Sequence, residues 1–448
     1  MRRIPTHEAP RMTLLYDAAY LAVAVLSLGA FIGRLSQAES WRELLRQRLG
    51  ILPAALRNEL AGKKVIWLHA VSVGEVIAVE NFMRRLLRER PGYHAVLTTV
   101  TPTGQRVAKK LEGPDVSVCY FPFDFSFAVR RFFRALQPEC LLLAETEIWP
   151  NLITEAARLQ VPAGILNARL SRRSARRYAR FKMLFRPLFE RLQFVLAQTE
   201  DDAERFRACG TDSSRVVVLG NMKFDNMSLE QGGADRGQSL RDRWGFAAED
   251  RILIAGSTHR GEESLVVKAF LKLQRKEPRL RLVLAPRHPE RAQETAQLVL
   301  REGLDYRMSS NGAGAEKKGA VVILDELGVL RELYALADAV FVGGSLVPGR
   351  GGQNPIEPAV FRKAIVHGPH VFNFERVYQA LDGAGGALRV YNGPELEQAL
   401  ETILGNASEN ERLGRLAYQT VVSLRGATEK HVRWMADFLA SEKELVKG

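Results

Sequence analysis

From residue 65 onward, short apolar runs alternate with longer stretches whose apolar positions recur at helical spacing. Val65–His69, Ala95–Thr99, Val116–Tyr120, Cys140–Ala144, Ala163–Leu166 and Phe194–Ala197 are the first set of runs. Helical patterns separate them, such as Val76–Arg90 and Thr103–Leu111. A strand covered on both faces has no polar side to alternate with, so the pattern predicts a parallel sheet between layers of helices. Polar, glycine-bearing text near Asn226–Gln238 reads as a linker, and then the alternation restarts. Ile252–Ala255, Arg281–Ala285, Val321–Leu324, Ala339–Val342 and Ala364–His367 are the second set of strands. Helices are expected between them at Gly261–Gln274, Pro289–Glu302, Gly328–Ala337 and Pro355–Phe361. The domain reading is therefore 51–225 and 246–425 as two Rossmann-like α/β halves, 226–245 as linker and 426–448 as a C-terminal helix. In such folds ligands sit beyond the carboxyl ends of the strands, which makes a cleft between the two halves the expected site.

Ahead of this body, residues 1–50 hold one long apolar run, Met12–Gly33, with Asp17 its one formal charge. At 1.5 Å per residue the run is about 30 Å long, one hydrocarbon thickness. An uncleaved membrane anchor is the expectation, with the catalytic body on the cytoplasmic side. A cleaved signal peptide and a helix lying at the interface or against the body are the competing readings. Arginines flank both ends, so the charge rule favours this orientation only weakly.

Composition changes the picture in one respect. The formal charge of +13 predicts attraction to an anionic partner: nucleic acid, membrane headgroups or a phosphorylated substrate. No nucleic-acid-binding module or basic–aromatic platform is present, so nucleic acid is not expected. Cys119, Cys140 and Cys209 are far apart and form neither a C-x-x-C pair nor a site with histidine, so no metal or disulfide framework is indicated.

Candidate chemistry gathers where predicted strands end. Glu75 follows the first strand in HAVSVGE, at the start of a helix. It reads either as a carboxylate favoured by the helix dipole or as a general base aimed into the site. Glu145 and Glu147 follow the fourth strand in ETEIWPN, where they point the same way if the strand continues; Glu147 can also be a helix cap. Lys223 lies in GNMKFD at the end of the first half. In the second half, the loops GSTHRG (256–261), PRHP (286–289), GGS (343–345) and GRGGQNPIEP (349–358) suggest backbone N–H groups and Arg287 facing a phosphate, with Glu357 on ribose hydroxyls. Together they point to a nucleotide donor. Arg172, Arg173, Arg176, Arg177 and Arg180 form a basic ridge at helical spacing, read either as a solvated face or as a contact for anionic lipid.

Taken in order, WLHAVSVGE, TPTG, ETEIWPN, LNARLSRRS, QTEDD, GNMKFD, AGSTHRGEE, APRHPER and GGQNPIEPA resemble the Kdo (3-deoxy-D-manno-octulosonic acid) transferases of lipopolysaccharide assembly. The resemblance implies a GT-B fold and inverting transfer from CMP-Kdo to the 6′ hydroxyl of lipid IVA. It implies a place at the inner membrane among anionic lipids, and no cofactor or metal. Carried over, the catalytic base falls on Glu75, and the transition-state-stabilising positions fall on Glu145 and Lys223. The CMP contacts fall on Pro286 and Arg287, on Leu327, Gly328 and Val329, and on Asn354, Pro355, Ile356 and Glu357. The family commonly has Met-Gly-Glu where this chain has Leu327-Gly328-Val329. Another sugar-nucleotide transferase or epimerase is the nearest alternative; a basic membrane- or nucleic-acid-binding protein is more remote.

Overall fold

The computed structural model describes residues 9–26, 41–225, 240–311 and 320–447. The chain divides into two compact units: residues 1–227 with 425–448, and residues 228–424. Most of the linker expected at 226–245 lies outside the described residues, as do residues 27–33 at the end of the apolar run 12–33.

In the first unit, β1 (Lys64–His69), β2 (Tyr93–Thr99), β3 (Val116–Tyr120), β4 (Pro138–Ala144), β5 (Ala163–Ala168), β6 (Phe194–Ala197) and β7 (Val216–Val218) form one sheet. Its order is β3-β2-β1-β4-β5-β6-β7, and every neighbouring pair is parallel. The second sheet contains β8 (Arg251–Thr258), β9 (Leu280–Pro286), β10 (Tyr306–Met308), β11 (Val321–Ile323), β12 (Ala339–Val342), β13 (Ile365–His367) and β14 (Ala387–Arg389). It is also parallel throughout, ordered β10-β11-β9-β8-β12-β13-β14. Both are therefore Rossmann-like, with strand order reversing beside β1 and beside β8. Those switch points open a crevice at the strand ends. The short edge strands β7, β10 and β14 were not among the strands expected from the hydrophobic pattern.

The helices that bear on function are α1 (Ala9–Leu26), α2 (Val73–Glu89), α3 (Ser126–Leu136), α4 (Pro150–Arg158), α5 (Arg172–Arg180), α6 (Glu262–Lys276) and α7 (Ala427–Lys447). Strand β1 shows how the first sheet is sealed. Val65 and Trp67 face one core with Phe121, Phe132 and Phe133. Ile66 and Leu68 face the other with Phe82, Val432 and Met435. The second core is completed by α7, whose Trp434 and Phe438 rings pack 4.8 and 4.9 Å from that of Phe194. Phe194 fits because β5 carries Gly164 opposite it, where a Cβ would lie 2.2 Å from the ring. The C-terminal helix thus belongs to the first unit, although the second unit precedes it in sequence.

Helix α1 lies against the first unit. Tyr16 is buried in its core and donates its hydroxyl to the Leu184 carbonyl at 2.6 Å. The Asp17 carboxylate accepts from the Ser126 amide (2.8 Å) and hydroxyl (2.7 Å) and from Asn151 Nδ2 (3.0 Å). Asp17 therefore caps the start of α3 from another helix, because Phe125 at the capping position has no side-chain acceptor. Leu14, Leu15 and Leu21 on the same helix are exposed. Among the described residues no helix is long and apolar enough to cross a membrane.

Asp225 holds α7 in place: its carboxylate accepts from the amides of Gly426 (2.6 Å) and Thr428 (2.5 Å). Asp225→Ala is expected to destabilise the protein by about 1–2 kcal/mol, the range for a lost helix cap. Urea unfolding checks this, and an unchanged midpoint refutes it.

Candidate active site

Glu75 stands on the turn from β1 into α2. Its Oε2 accepts from the Val71 amide and its Oε1 from the Ser72 hydroxyl, both at 2.8 Å. The carboxylate thus reaches back to the turn ahead of its own helix, where Ser72 at the capping position makes no side-chain cap bond. Two of its roughly four acceptor positions are in use. The residue retains 9% of its surface. Burial raises its pKa above the ordinary carboxylate value and Glu145 adds to the rise, while the Val71 and Ser72 hydrogen bonds and Lys223 oppose it.

The structure brings Glu145 and Lys223 to the same place. Lys223 Nζ is 2.6 Å from Glu145 Oε1 and 4.0 Å from the position a Cβ on Gly74 would take. Both residues are held by backbone constraints. Glu145, just after β4, is in a left-handed conformation (φ 60°), as is Asn167 within β5 (φ 51°). Such strain in a non-glycine residue persists only where the surroundings impose it. Asn167 Oδ1 accepts the Met222 amide at 3.0 Å, and Asn221 Oδ1 accepts the Lys223 amide at 3.0 Å, which fixes the turn that carries the ammonium.

Glu147 differs from expectation. Because Glu145 turns left-handed, the strand does not continue and the two acids do not share its register. Nor does Glu147 cap α4; the buried Asp124 does, accepting the amides of Asn151 (3.0 Å) and Leu152 (2.9 Å). Glu147 instead joins the acidic cluster, its pKa pushed up to about 7 by burial first and then by Glu75. His69, just before the turn, is buried and stacked on Phe121 at 3.9 Å. Burial pushes its pKa down to about 3, so it is a neutral core residue.

In the second unit, part of the glycine-loop N–H groups expected to face an anion is already taken. Glu262, at the start of α6, is buried, and its carboxylate accepts four backbone amides. His259 (2.9 Å) and Gly344 (2.7 Å) donate to Oε2, and Ser345 (3.0 Å) and Leu346 (2.8 Å) donate to Oε1. A protein carboxylate occupies these four donors. Arg287 emerges exposed after Pro286 at the end of β9, its amide donating to the Thr258 carbonyl at 2.9 Å. Asn354 orders the turn ahead of the short helix Ile356–Val360: its Oδ1 accepts the Ile356 amide (3.1 Å) and its Nδ2 donates to Glu357 (3.2 Å). Burial raises the Glu357 pKa, opposed by Asn354 and then by Arg331. Gly328 takes φ 89°, and Leu327 beside it is 77% exposed.

Sequence reasoning missed Asp124, whose capping partner lies 27 residues on, and it read the loop glycines without seeing that Glu262 takes four amides there. No local pattern marks either pairing. Among the described residues no group of histidine, cysteine and acid side chains is arranged to hold a metal ion.

Residues 43–226 match the family model described as 3-deoxy-D-manno-octulosonic-acid transferase (kdotransferase). The chain is 35% identical over 412 residues to the 3-deoxy-D-manno-octulosonic acid transferase of Haemophilus influenzae, covering 91% of this chain and 95% of that one. It is 32% identical to the transferase of the same name from Bordetella pertussis, covering 89% and 92%. A glycosyltransferase structure from Rickettsia africae shares the fold: TM-score 0.56 at 12% identity, covering 86% of this chain and 100% of that one. With strand-end acids, basic loops and full-length likeness in agreement, the chain belongs to the 3-deoxy-D-manno-octulosonic acid (Kdo) transferase family of glycosyltransferases.

Proposed function

We propose that this enzyme transfers Kdo from CMP-Kdo to the 6′ hydroxyl of lipid IVA, with inversion at the anomeric carbon, at the cytoplasmic face of the inner membrane. The observation that carries the reading is Glu75: a carboxylate with two acceptor positions still open and a raised pKa, beside an ammonium. In the reaction the acceptor hydroxyl loses its proton to Glu75 as its oxygen attacks the anomeric carbon. The bond from that carbon to the phosphate oxygen breaks, and its electron pair leaves with CMP. Lys223, anchored on Glu145, supplies positive charge next to the base, and Arg287 meets the charge growing on the departing phosphate. The expected CMP contacts at 286–287, 327–329 and 354–357 belong to this donor site.

A lipid acceptor needs a membrane surface, and the first unit has features that suit one. Leu14, Leu15 and Leu21 on α1 are exposed, as are Phe181 and Met183 just after α5. The hydrogen bond from Tyr16 to Leu184 brings the two segments together. All five arginines of the ridge on α5 are exposed. With Asp17 bound to the body, α1 is proposed to lie along the interface, its leucines toward the acyl chains and the arginines toward anionic headgroups.

Three outcomes test the proposal. Glu75→Gln should lower kcat by about 10²- to 10⁴-fold with the fold intact, the usual contribution of a general base; near-normal turnover would show that Glu75 is not the base. Only ionised Glu75 accepts a proton, and its pKa is raised. The acidic limb of kcat/KM in the wild type should therefore fall above the ordinary carboxylate range, with rate lost as pH drops through it. Each arginine near an anionic surface contributes about 1 kcal/mol. Replacing Arg172, Arg173 and Arg176 by alanine should thus weaken binding to phosphatidylglycerol vesicles by roughly 100-fold. Unchanged co-sedimentation would remove α5 from the membrane-facing surface.

A further inference from the structure

The second unit contains a cluster of positive groups of which the donor contacts above assign only Arg287. His259 follows β8 and is buried. Its Nε2 lies 3.3 Å from Gln353 Nε2, and its ring centroid is 5.9 Å from that of His288. Burial pushes its pKa down to about 4, and the charges of Arg350, His288, Arg291 and Arg287 push in the same direction. The guanidiniums of Arg287, Arg291 and Arg350 are thus near enough to act on one neutral imidazole.

Not all of them are available to a ligand. Arg291 is bound to Glu263 at 2.8 Å and to Glu294 at 3.4 Å, and His288 lies 3.6 Å from Glu290. Arg287 and Arg350 have no carboxylate within ion-pair distance among the described residues. The backbone under Arg350 is fixed. Asn373 Nδ2 donates to the carbonyls of Arg350 (2.8 Å) and Gly352 (3.3 Å), and its amide donates to Gly351 O (2.8 Å). The Gln353 carbonyl accepts the Tyr378 hydroxyl at 2.8 Å. The loop is close-fitted as well: a Cβ on Gly344 would lie 3.1 Å from Gln353 Nε2 and 3.2 Å from His259 Cδ2. Glu262 takes the amides of His259 and of residues 344–346, so an anion beside His259 would meet the imidazole, the Gln353 side-chain amide and the charges of Arg287 and Arg350.

A donor whose sugar is a 2-ulosonic acid carries two negative charges close together. One is the phosphodiester; the other is a carboxylate on the same anomeric carbon. We infer that Arg350, with His259 and Gln353, binds this carboxylate, while Arg287 binds the phosphate. The assignment rests on the CMP-Kdo reading and adds the group that selects an acidic sugar over a neutral one. It also divides the two arginines by role. When the bond to phosphate breaks, its electron pair moves to the phosphate oxygen, where Arg287 meets growing charge. The anomeric carbon becomes electron-poor, and its carboxylate stabilises it. A cation held on that carboxylate offsets this help, so Arg350 contributes to donor binding more than to rate.

The experiment uses the full chain with CMP-Kdo and a lipid acceptor, and CMP as a competitive inhibitor that has the phosphate but no carboxylate. Arg350→Gln should raise KM for CMP-Kdo at least tenfold, with kcat falling less than KM rises and Ki for CMP changing less than threefold. Arg287→Gln should weaken both ligands and lower kcat. His259→Asn is the second variant if Arg350→Gln does not fold, with the same split expected. Loss of CMP affinity equal to the loss for CMP-Kdo would make Arg350 a phosphate ligand and overturn the assignment, as would no change in either. Wild-type enzyme that releases no CMP from CMP-Kdo would instead sink the donor reading itself.

Discussion

A glutamate at a strand-to-helix turn organises each unit, and the difference between the two glutamates decides what each can do. Glu262 receives four amide hydrogen bonds, two to each oxygen. Its acceptor capacity is filled, which makes it a structural anion that holds the loop after β8 against the loop after β12. Glu75 receives two. It is fixed in direction by the start of α2 and still has lone pairs to accept a proton. The same local device therefore gives a rigid floor in one unit and a candidate base in the other.

Rigidity around Glu75 comes from distant parts of the chain. The ammonium beside it sits on a turn tied to β5 through Asn167 and to α7 through Asp225. His431 on α7 completes the link: Nδ1 donates to the Ala427 carbonyl at 2.8 Å, so Nε2 accepts the Asn167 amide at 3.3 Å. That tautomer needs a neutral ring, which burial secures by pushing its pKa down to about 4. Left-handed strain at Glu145 and Asn167 is supported by the same links. Preorganisation of this kind lets a lysine and two or three acids remain close without relaxing into separate ion pairs.

The first unit also joins chemistry to surface. Asp17, a charge inside an apolar helix, is matched to the open end of α3 and to Asn151. Asn151 is in turn held by Asp124. The apolar helix is thereby fixed to the first unit by polar contacts, while Leu14, Leu15 and Leu21 stay exposed.

By itself the sequence determined the two parallel α/β units and the positions of Glu75, Glu145, Lys223 and Arg287 at strand ends. Apolar runs with helical intervals encode layers, and loops after strands are the places such layers leave open. The motif order also carried the family, because each motif is a local string. What only the tertiary structure decided depends on partners far apart in the chain. Examples are Asp17 capping α3, Asp124 in place of Glu147 capping α4, α7 returning to the first unit, and Glu262 taking four amides of the glycine loops. A hydrogen bond across 80 or 100 residues leaves no period and no spacing in the sequence; only the packed sheet brings its two ends together.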